Sequence, residues 1–477
     1  MELTSLSATK VAELIRARAV SPVEVLEAYL GRIEALNPSL NAIVCLAPDA
    51  LERAREMEAA VMRGEALGAL HGVPVTVKDT FDVEGLRSTS GSLVRADLIP
   101  ERDARAVAQL RAAGAIILGK TNVPEMALNY DSENPVFGRT NNPHDLTRTP
   151  GGSSGGEAAS IAACLSAAGL GSDLVGSIRI PAHFCGIFGL KPTSATVDGY
   201  GHCPEMIGSL RQAASFGPMA RSVEDLNTMI DVLAVIGSSD EGRASWEMKG
   251  ALRTGMRVAL WLDDSATPVT EETRRAVEAV GRALYDAGLE VIEETPPGVE
   301  DGSALWLKRF SPDVLRAIRQ VYQTPQDLEK AGAAVRALLS RAATGAQETV
   351  AERLRIDEDC SMRRVALIEW MNDVPLIVAP VGAVAAFEHG TRKVKVADTE
   401  MSVFNAFSYS QVFNTFDLPV VCVPAGRTSD GLPIGVQIAA RPFCEKSVLN
   451  AALIVEKALG GYEPPPVSTS TKRHNSL

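Results

Sequence analysis

The sequence predicts an α/β protein whose central β-sheet is covered on both faces by helices. Short apolar segments with the length of buried strands alternate with amphipathic helical segments over most of the 477 residues, and this alternation is typical of that fold class. Apolar residues make up 46% of the chain and are spread over its whole length, so a large buried core can form. No linker-like segment divides the chain, which favours one large domain over residues 1–462.

The N-terminal part, about residues 1–65, is predicted to be mainly helical. Ser21-Pro22-Val23-Glu24 has the pattern of a capping box with proline at the first helical position. The apolar residues that follow lie on one helical stripe, and Asn37-Pro38 is predicted to end that helix. The alternation of strands and helices then begins with a strand at 73–77, a helix at 103–113 and a strand at 115–118.

The C-terminal half repeats the alternation around a helical excursion. Strands are predicted at 256–260, 289–292, 376–378 and 419–423, with a long helix at about 271–287. Between them, 296–349 is mostly helical in pattern and carries Trp306, Phe310 and Tyr322. After Tyr462 the chain is rich in proline and then in serine and threonine, so 463–477 is predicted to be a disordered tail.

Charge and composition exclude several classes of protein. With 47 basic and 59 acidic residues the formal charge is −12, which argues against a nucleic-acid-binding face. The first ten residues lack the basic start and apolar run of a secretory signal, and no segment approaches the roughly 20 apolar residues of a membrane span. The seven cysteines are scattered without C-x-x-C spacing, so neither a disulfide framework nor a zinc site is expected. We therefore expect a reduced, cytoplasmic compartment.

Three segments carry residues that could do chemistry. Lys78 follows the first predicted strand, where it could be a plain surface charge. The run GGSSGG at 151–156 could be a linker or a phosphate-cradling turn, although the small-residue helix that follows argues against a linker. The segment 171–181 is rich in small residues, whose backbone N–H groups can converge as in an oxyanion hole or anion nest. Because 150–192 is so dense in glycine and serine, it is not expected to form core elements.

A serine nucleophile needs a base, because its hydroxyl alone is a weak nucleophile. GGSSGG satisfies the G-x-S-x-G elbow of α/β-hydrolases at Ser153 and at Ser154, but that elbow follows a strand directly, and 141–149 is polar and turn-like. None of the six histidines has a distinctive sequence context. Lysine is the remaining base. Lowering its pKa from about 10.4 to near 7.5 costs roughly 4 kcal/mol, which burial in a dry, serine-lined site could impose.

Together these segments resemble the amidase signature family, from about residue 21 to residue 460. The resemblance rests on Val77-Lys78-Asp79, the GGSSGG run and 171–181 in this order, and it continues through 119–125, 137–143, 184–186, 189–193 and 431–437. It implies the amidase signature fold, with a central mixed β-sheet covered on both faces by helices. It also implies hydrolysis of a carboxylic amide through an acyl-enzyme, with no metal and no organic cofactor.

Position by position, the resemblance implies a Ser-cisSer-Lys triad. Lys78 matches the base, Ser153 the bridging serine whose preceding peptide bond is cis, and Ser177 the nucleophile, whereas Ser154 has no role. The resemblance further implies an oxyanion hole made by backbone N–H groups of Leu174, Val175, Gly176 and Ser177, a loop held by Asp173 and Arg179, and an acyl pocket that includes Ala127, Leu128 and Tyr130.

One position departs from the family's pattern. The family commonly reads Asp-x-Gly-Gly-Ser, whereas this chain has Val175 at the first of those two glycines. A β-branched residue at positive φ is strained. We therefore expect Val175 to keep a negative φ, while the neighbouring Gly176 takes any unusual backbone geometry.

The sequence leaves the substrate open. The stretch 191–193, with Gly201 and Pro204 beyond it, is closer to stand-alone fatty-acid-amide and aryl-amide hydrolases of the family. The alternatives are an esterase or carbamate hydrolase with the same triad, the A subunit of a tRNA-dependent amidotransferase, which needs partner proteins, and an inactive scaffold that binds amides. Met206 and the 296–349 excursion are further candidates for the pocket wall. We expect a small-molecule amide substrate, no nucleic acid and no membrane span, and a homodimer stays open.

Overall fold

A mixed sheet organises the chain, of which the computed structural model describes residues 2–235, 250–262, 267–344 and 349–469. The strands are β1 (Ile43–Leu46), β2 (Pro74–Lys78), β3 (Ile116–Thr121), β4 (Glu133–Asn134), β5 (Gly138–Arg139), β6 (Ala168–Asp173), β7 (Phe188–Lys191), β8 (Ser215–Ala220), β9 (Arg257–Leu260), β10 (Glu290–Glu293), β11 (Leu376–Pro380), β12 (Lys393–Val396), β13 (Thr399–Ser402), β14 (Val420–Arg427) and β15 (Pro433–Ala440).

Eleven of these strands form one sheet in the order β1-β3-β2-β6-β8-β7-β14-β15-β11-β9-β10. β2 pairs in parallel with β3 and β6, and β9 in parallel with β10 and β11, whereas the other neighbours in the sheet are antiparallel. Every residue of β2, β6, β8 and β15 is buried. A strand buried at every residue must be covered on both faces of its sheet, so the predicted architecture is confirmed.

Helices supply that cover. They are α1 (Ala8–Arg16), α2 (Pro22–Leu40), α3 (Ala50–Arg63), α4 (Arg105–Ala112), α5 (Gly155–Ala162), α6 (Arg179–Cys185), α7 (Val223–Leu233), α8 (Glu271–Asp286), α9 (Gly302–Arg319), α10 (Pro325–Lys330), α11 (Ala333–Thr344), α12 (Val350–Trp370), α13 (Val403–Ala406), α14 (Ser408–Thr415) and α15 (Glu445–Leu459).

The predicted end of α2 is wrong by three residues. Ser21 forms the expected capping box with Glu24, but the helix continues through Pro38 to Leu40. It ends where Asn41 adopts a left-handed conformation with φ +50°, and the Asn37 side chain accepts the N–H groups of the two residues that follow at 2.9 and 3.0 Å. A proline in the last turn removes only one hydrogen bond, and these polar contacts close the end of the helix.

The glycine- and serine-rich centre contradicts the expectation that it forms no core elements. It contains β6, β7, α5 and α6, all of whose residues are buried. Glycine explains this close packing. A Cβ at Gly156 would collide with the backbone of Asn122, and a Cβ at Gly169 would collide with the Glu157 carboxylate. The small residues here allow strands and helices to pack closely against each other, so the segment is part of the core and not a loop.

The helical excursion extends further than predicted. Its helices are α9 to α12, and the last of them continues to Trp370 instead of ending near 349. Of the predicted disordered tail, 463–469 is described, ends in a 3₁₀ turn at Pro466–Thr469, and joins the body through an ion pair between Glu463 and Arg427 at 2.8 Å. Residues 470–477 lie outside the described residues.

Candidate active site

Lys78 lies at the end of β2, in the interior of the sheet, with no exposed surface. Its Nζ is 2.6 Å from Ser153 Oγ, 2.9 Å from Ser172 Oγ and 3.3 Å from the Ser172 carbonyl oxygen. Ser172 comes from β6, which pairs in parallel with β2. The strand pairing therefore places two neutral oxygen atoms beside the amine, and the GGSSGG loop adds the third through Ser153. The interpretation of Lys78 as a surface charge is wrong.

Burial lowers the pKa of Lys78 to about 7, although the negative charges of Asp173 and Glu157 oppose the shift. Glu157, on α5, is also fully buried, and burial raises its pKa to about 7 against hydrogen bonds from Thr76 and Thr121. The Thr121 hydroxyl donates to Glu157 Oε2 at 2.7 Å. Loss of water disfavours the charged form of both groups, so an uncharged amine becomes accessible near neutral pH.

The GGSSGG run forms a tight loop that leads into α5. The peptide bond between Gly152 and Ser153 is cis, as the family resemblance implies. Gly152 cannot carry a side chain, because a Cβ there would collide with the carbonyl oxygen of Asn129. Ser154 differs from Ser153 in its contacts. Its N–H donates to the Ser177 carbonyl at 3.1 Å, and its hydroxyl donates to the Ser172 carbonyl at 3.3 Å.

A buried ion pair shapes the loop between β6 and α6. Arg179 Nε lies 3.0 Å from Asp173 Oδ2, and both side chains have no exposed surface. The Asp173 carboxylate also accepts the N–H groups of Gly176 at 2.7 Å and Ile178 at 3.1 Å. Burial would raise the pKa of Asp173, but the Arg179 guanidinium outweighs it and holds that pKa well below its usual range. These contacts fix the backbone on both sides of Ser177.

Tyr130 and Trp306 hold two carbonyl groups of the same loop in place. The Tyr130 hydroxyl donates to the Val175 carbonyl at 2.8 Å, and Trp306 Nε1 donates to the Leu174 carbonyl at 3.1 Å. In a trans peptide the C=O and the next N–H point in opposite directions. Trp306 therefore sets the direction of the Val175 N–H, and Tyr130 sets that of the Gly176 N–H.

The backbone angles agree with the expectations for both Val175 and Gly176, whereas a hydrogen bond contradicts the place of the Gly176 N–H in the implied oxyanion hole. Val175 is not among the residues with positive φ, whereas Gly176 has φ +102°, which only glycine adopts easily. The Gly176 N–H, however, is donated to Asp173 and is not available to an oxyanion in this arrangement. In the described part of the chain, the N–H groups of Leu174, Val175 and Ser177 have no acceptor.

A cavity of about 310 Å³ opens beside Ser153 and Ser177. Ala127, Leu128 and Tyr130 line it, as the family resemblance implies, and so does Met206. The excursion helices supply much of the remaining apolar wall: Trp306, Leu307, Val314, Ala317, Ala334 and Leu338. No sequence signal distinguished these residues from ordinary core residues, because their common surface exists only after the helices pack.

The polar end of the cavity holds a histidine that the sequence did not single out. His202 has Nε2 3.0 Å from Ser172 Oγ and Nδ1 3.0 Å from the Pro204 carbonyl oxygen, and it also lines the cavity. One of its hydrogen-bond partners belongs to β6 and the other to the loop that contains His202 itself, so no local sequence pattern could indicate this histidine. Ser153 Oγ and Ser177 Oγ, both among the described residues, form no hydrogen bond with each other in this structure.

Within the described ranges, no group of acidic, histidine and cysteine side chains has the geometry of a metal site. Nor does any described helix combine the length and apolarity that crossing a bilayer requires.

The chain is similar to known proteins over nearly its whole length. Residues 24–449 match the family model described as Amidase. The sequence is 32% identical to the A subunit of glutamyl-tRNA(Gln) amidotransferase from Koribacter versatilis, over 96% of this chain and 99% of that protein. It is 33% identical to the protein of that description in Carboxydothermus hydrogenoformans, over 96% of this chain and 98% of that protein.

Two solved structures show the same fold. A 6-aminohexanoate cyclic dimer hydrolase, solved with its substrate, has a TM-score of 0.84 at 28% identity and covers 98% of this chain and 100% of its own. A bacterial aryl acylamidase has a TM-score of 0.82 at 25% identity and covers 95% of this chain and 96% of its own.

The buried amine should reduce stability wherever it is charged. Its pKa is about 7 in the folded protein and about 10.5 in the unfolded chain, so between these values the unfolded chain binds more protons and stability rises with pH. Lys78→Met should therefore raise the free energy of unfolding by about 1–3 kcal/mol below pH 7. This gain should shrink as pH approaches 10.5.

Denaturant unfolding between pH 6 and pH 10 measures this effect. Lys10→Met, which removes an exposed amine from α1, serves as the control and should show no such trend. A gain for Lys78→Met that increases with pH would contradict the assigned direction of the pKa shift.

Proposed function

The chain belongs to the amidase signature family, and on that premise we propose that it hydrolyses a carboxylic amide through an acyl-enzyme formed on Ser177. One observation carries the proposal. A lysine without exposed surface has its Nζ 2.6 Å from Ser153 Oγ, and both Ser153 and Ser177 open into one cavity. A base, a hydroxyl that can relay a proton and a second hydroxyl therefore adjoin the same space.

In the proposed acylation step, neutral Lys78 takes the proton of Ser153, and Ser153 takes the proton of Ser177. Ser177 Oγ then forms a bond to the substrate carbonyl carbon, and the carbonyl π electrons move onto oxygen. This step needs Ser177 to turn toward Ser153, and a serine hydroxyl can do so by changing between staggered rotamers. A hydrogen bond that forms only with substrate present is common for catalytic groups.

Three backbone N–H groups support the proposed oxyanion hole. Those of Leu174, Val175 and Ser177 belong to the loop that carries the proposed nucleophile and have no acceptor among the described residues. Asp173 and Arg179 hold that loop. Donors held in place before the reaction stabilise the developing negative charge without reorganisation. When the tetrahedral intermediate collapses, the C–N bond breaks and the proton returns through Ser153 to the leaving nitrogen. Water then attacks the ester by the same relay.

The cavity favours an amide with an apolar acyl group. Its wall is mostly aliphatic and aromatic, and the acidic or basic side chains among its described lining residues are Asp173 and His202. Burial lowers the pKa of His202 to about 3, so its imidazole is uncharged. The Asp173 carboxylate already pairs with Arg179. The charged α-amino and α-carboxylate groups of glutamine would find no partner there, and burying unpaired charge is costly. This argues against a role in a tRNA-dependent amidotransferase, although the relatives named above carry that description.

Amides and anilides of matched length should reveal this preference. An anilide of an unbranched apolar acid should have a kcat/KM at least about 100-fold above that of the same anilide with a terminal carboxylate, because the wall offers the carboxylate no partner. Glutamine should be hydrolysed no better than the carboxylated compound. Esters and carbamates of the same apolar acid complete the panel. Turnover of esters or carbamates without turnover of amides would favour that alternative instead.

The two adjacent serines provide an internal control for the relay. Ser177→Ala should abolish labelling by a fluorophosphonate probe and lower kcat by several orders of magnitude. Ser153→Ala and Lys78→Ala should also lose most activity. Ser154→Ala should lose far less, because its hydroxyl contacts only a backbone carbonyl. A larger loss for Ser154→Ala than for Ser153→Ala would show that the relay is wrongly assigned, and an unlabelled wild type would favour an inactive scaffold.

The pH profile should report the lysine. Because Lys78 must be neutral, kcat/KM should rise through one ionisation near pH 7 and reach a plateau on the alkaline side. Glu157 raises the pKa of Lys78, so Glu157→Gln should move the midpoint to lower pH by up to about one unit. No histidine substitution should abolish this ionisation. A midpoint lost with one histidine would indicate a histidine base.

A further inference from the structure

His202 is held in one tautomer by its neighbours. Nδ1 lies 3.0 Å from the Pro204 carbonyl oxygen, and a carbonyl oxygen can only accept a hydrogen bond, so Nδ1 carries the hydrogen. Burial lowers the pKa of His202 to about 3, and the charges of Lys78 and Arg95 act in the same direction. The imidazole is therefore neutral, and its Nε2 presents a lone pair.

This lone pair determines the direction of the Ser172 hydroxyl. Nε2 is 3.0 Å from Ser172 Oγ, and a neutral ring with its hydrogen on Nδ1 can only accept there. Ser172 therefore donates its hydrogen to His202 and presents oxygen lone pairs to Lys78 Nζ at 2.9 Å. Phe81 and Phe216 hold the ring in place, each with its ring centroid 5.0 Å from that of His202.

The neutral amine of Lys78 has fewer hydrogens than neighbouring oxygens. It carries two N–H hydrogens and one lone pair, and three oxygens surround its Nζ. Two of these belong to Ser172, namely the carbonyl and the hydroxyl, and both must accept in this arrangement. Both hydrogens are thereby used, and the lone pair is left facing Ser153 Oγ at 2.6 Å.

We propose that His202 is a positioning residue for the base. By fixing the direction of the Ser172 hydroxyl, it turns the lone pair of Lys78 toward Ser153. The inference rests on the proposed function, since it needs Lys78 to accept the Ser153 proton. Without the acceptor at Nε2, the Ser172 hydroxyl can rotate and donate its hydrogen to the lone pair of Lys78. This hydrogen bond then competes with proton transfer from Ser153.

Two polar substitutions separate the contacts of the ring. In His202→Asn the amide nitrogen takes the place of Nδ1 and keeps the bond to Pro204, but the acceptor for Ser172 is lost. In His202→Gln the longer side chain brings an amide oxygen to the place of Nε2 and keeps that acceptor. His71→Gln alters another buried histidine, which contacts the Met57 carbonyl oxygen and does not line the cavity, and it serves as the control.

The test is a double-mutant cycle with Ser172→Ala, read as the rate at which a fluorophosphonate labels Ser177 at pH 9. At this pH Lys78 is neutral. The substitutions leave in place the charged residues that face Lys78, namely Asp173 and Glu157, and also Arg95, which faces His202. His202→Asn should slow labelling about tenfold or more when Ser172 is present. It should slow labelling less than about twofold when residue 172 is alanine, because no hydroxyl remains to misorient.

His202→Gln should retain a labelling rate within about threefold of wild type, and His71→Gln should match wild type. A poorer fit of the probe to the cavity would affect both backgrounds equally, so it cannot mimic the expected result. Equal losses for His202→Asn in the two backgrounds, or no loss in either, would overturn the proposal. A wild type that is never labelled would instead contradict the proposed function itself.

Discussion

The burial of one amine beside neutral oxygens is the constraint on which the rest of this site depends. Lys78 and Lys120 lie on adjacent strands and neither has exposed surface. Lys120 has the Asp79 carboxylate at 2.9 Å, whereas Lys78 has the oxygens of Ser153 and Ser172. The two buried amines therefore have different hydrogen-bond partners. Burial lowers the pKa of Lys78 to about 7, so its amine can lose its proton near neutral pH.

The ion pair beside Ser177 has a different effect. Asp173 and Arg179 have no exposed surface, and breaking a buried pair by removing one partner is strongly destabilising. The oxygen atoms of Asp173 accept backbone N–H groups at both sides of Ser177. Its charge thus holds the shape of the loop, and the N–H groups that remain without acceptors are those that can meet a substrate.

The cavity and the loop that carries Ser177 share structural parts. Trp306 lines the cavity and also donates to the Leu174 carbonyl, and Tyr130 lines it and donates to the Val175 carbonyl. A change in either side chain would therefore alter both the space for the acyl group and the direction of a loop N–H. Trp306 belongs to α9 of the helical excursion, so a segment outside the recognised motifs contributes to both. Because family membership rests on the motifs and part of the cavity wall lies outside them, membership in the family does not settle the substrate.

The sequence by itself determined the residues whose chemistry depends on short motifs. Lys78, Ser153 and Ser177 were predicted as the triad from their segments, and Val175 was assigned an ordinary φ because side-chain sterics act within one residue. The tertiary structure alone decided what depends on distant partners. The Gly176 N–H is donated to Asp173, His202 contacts Ser172, and the excursion helices line the cavity. The strands and helices that bring these groups together are far apart in the chain, and hydrogen bonds between such groups exist only when both partners have been placed.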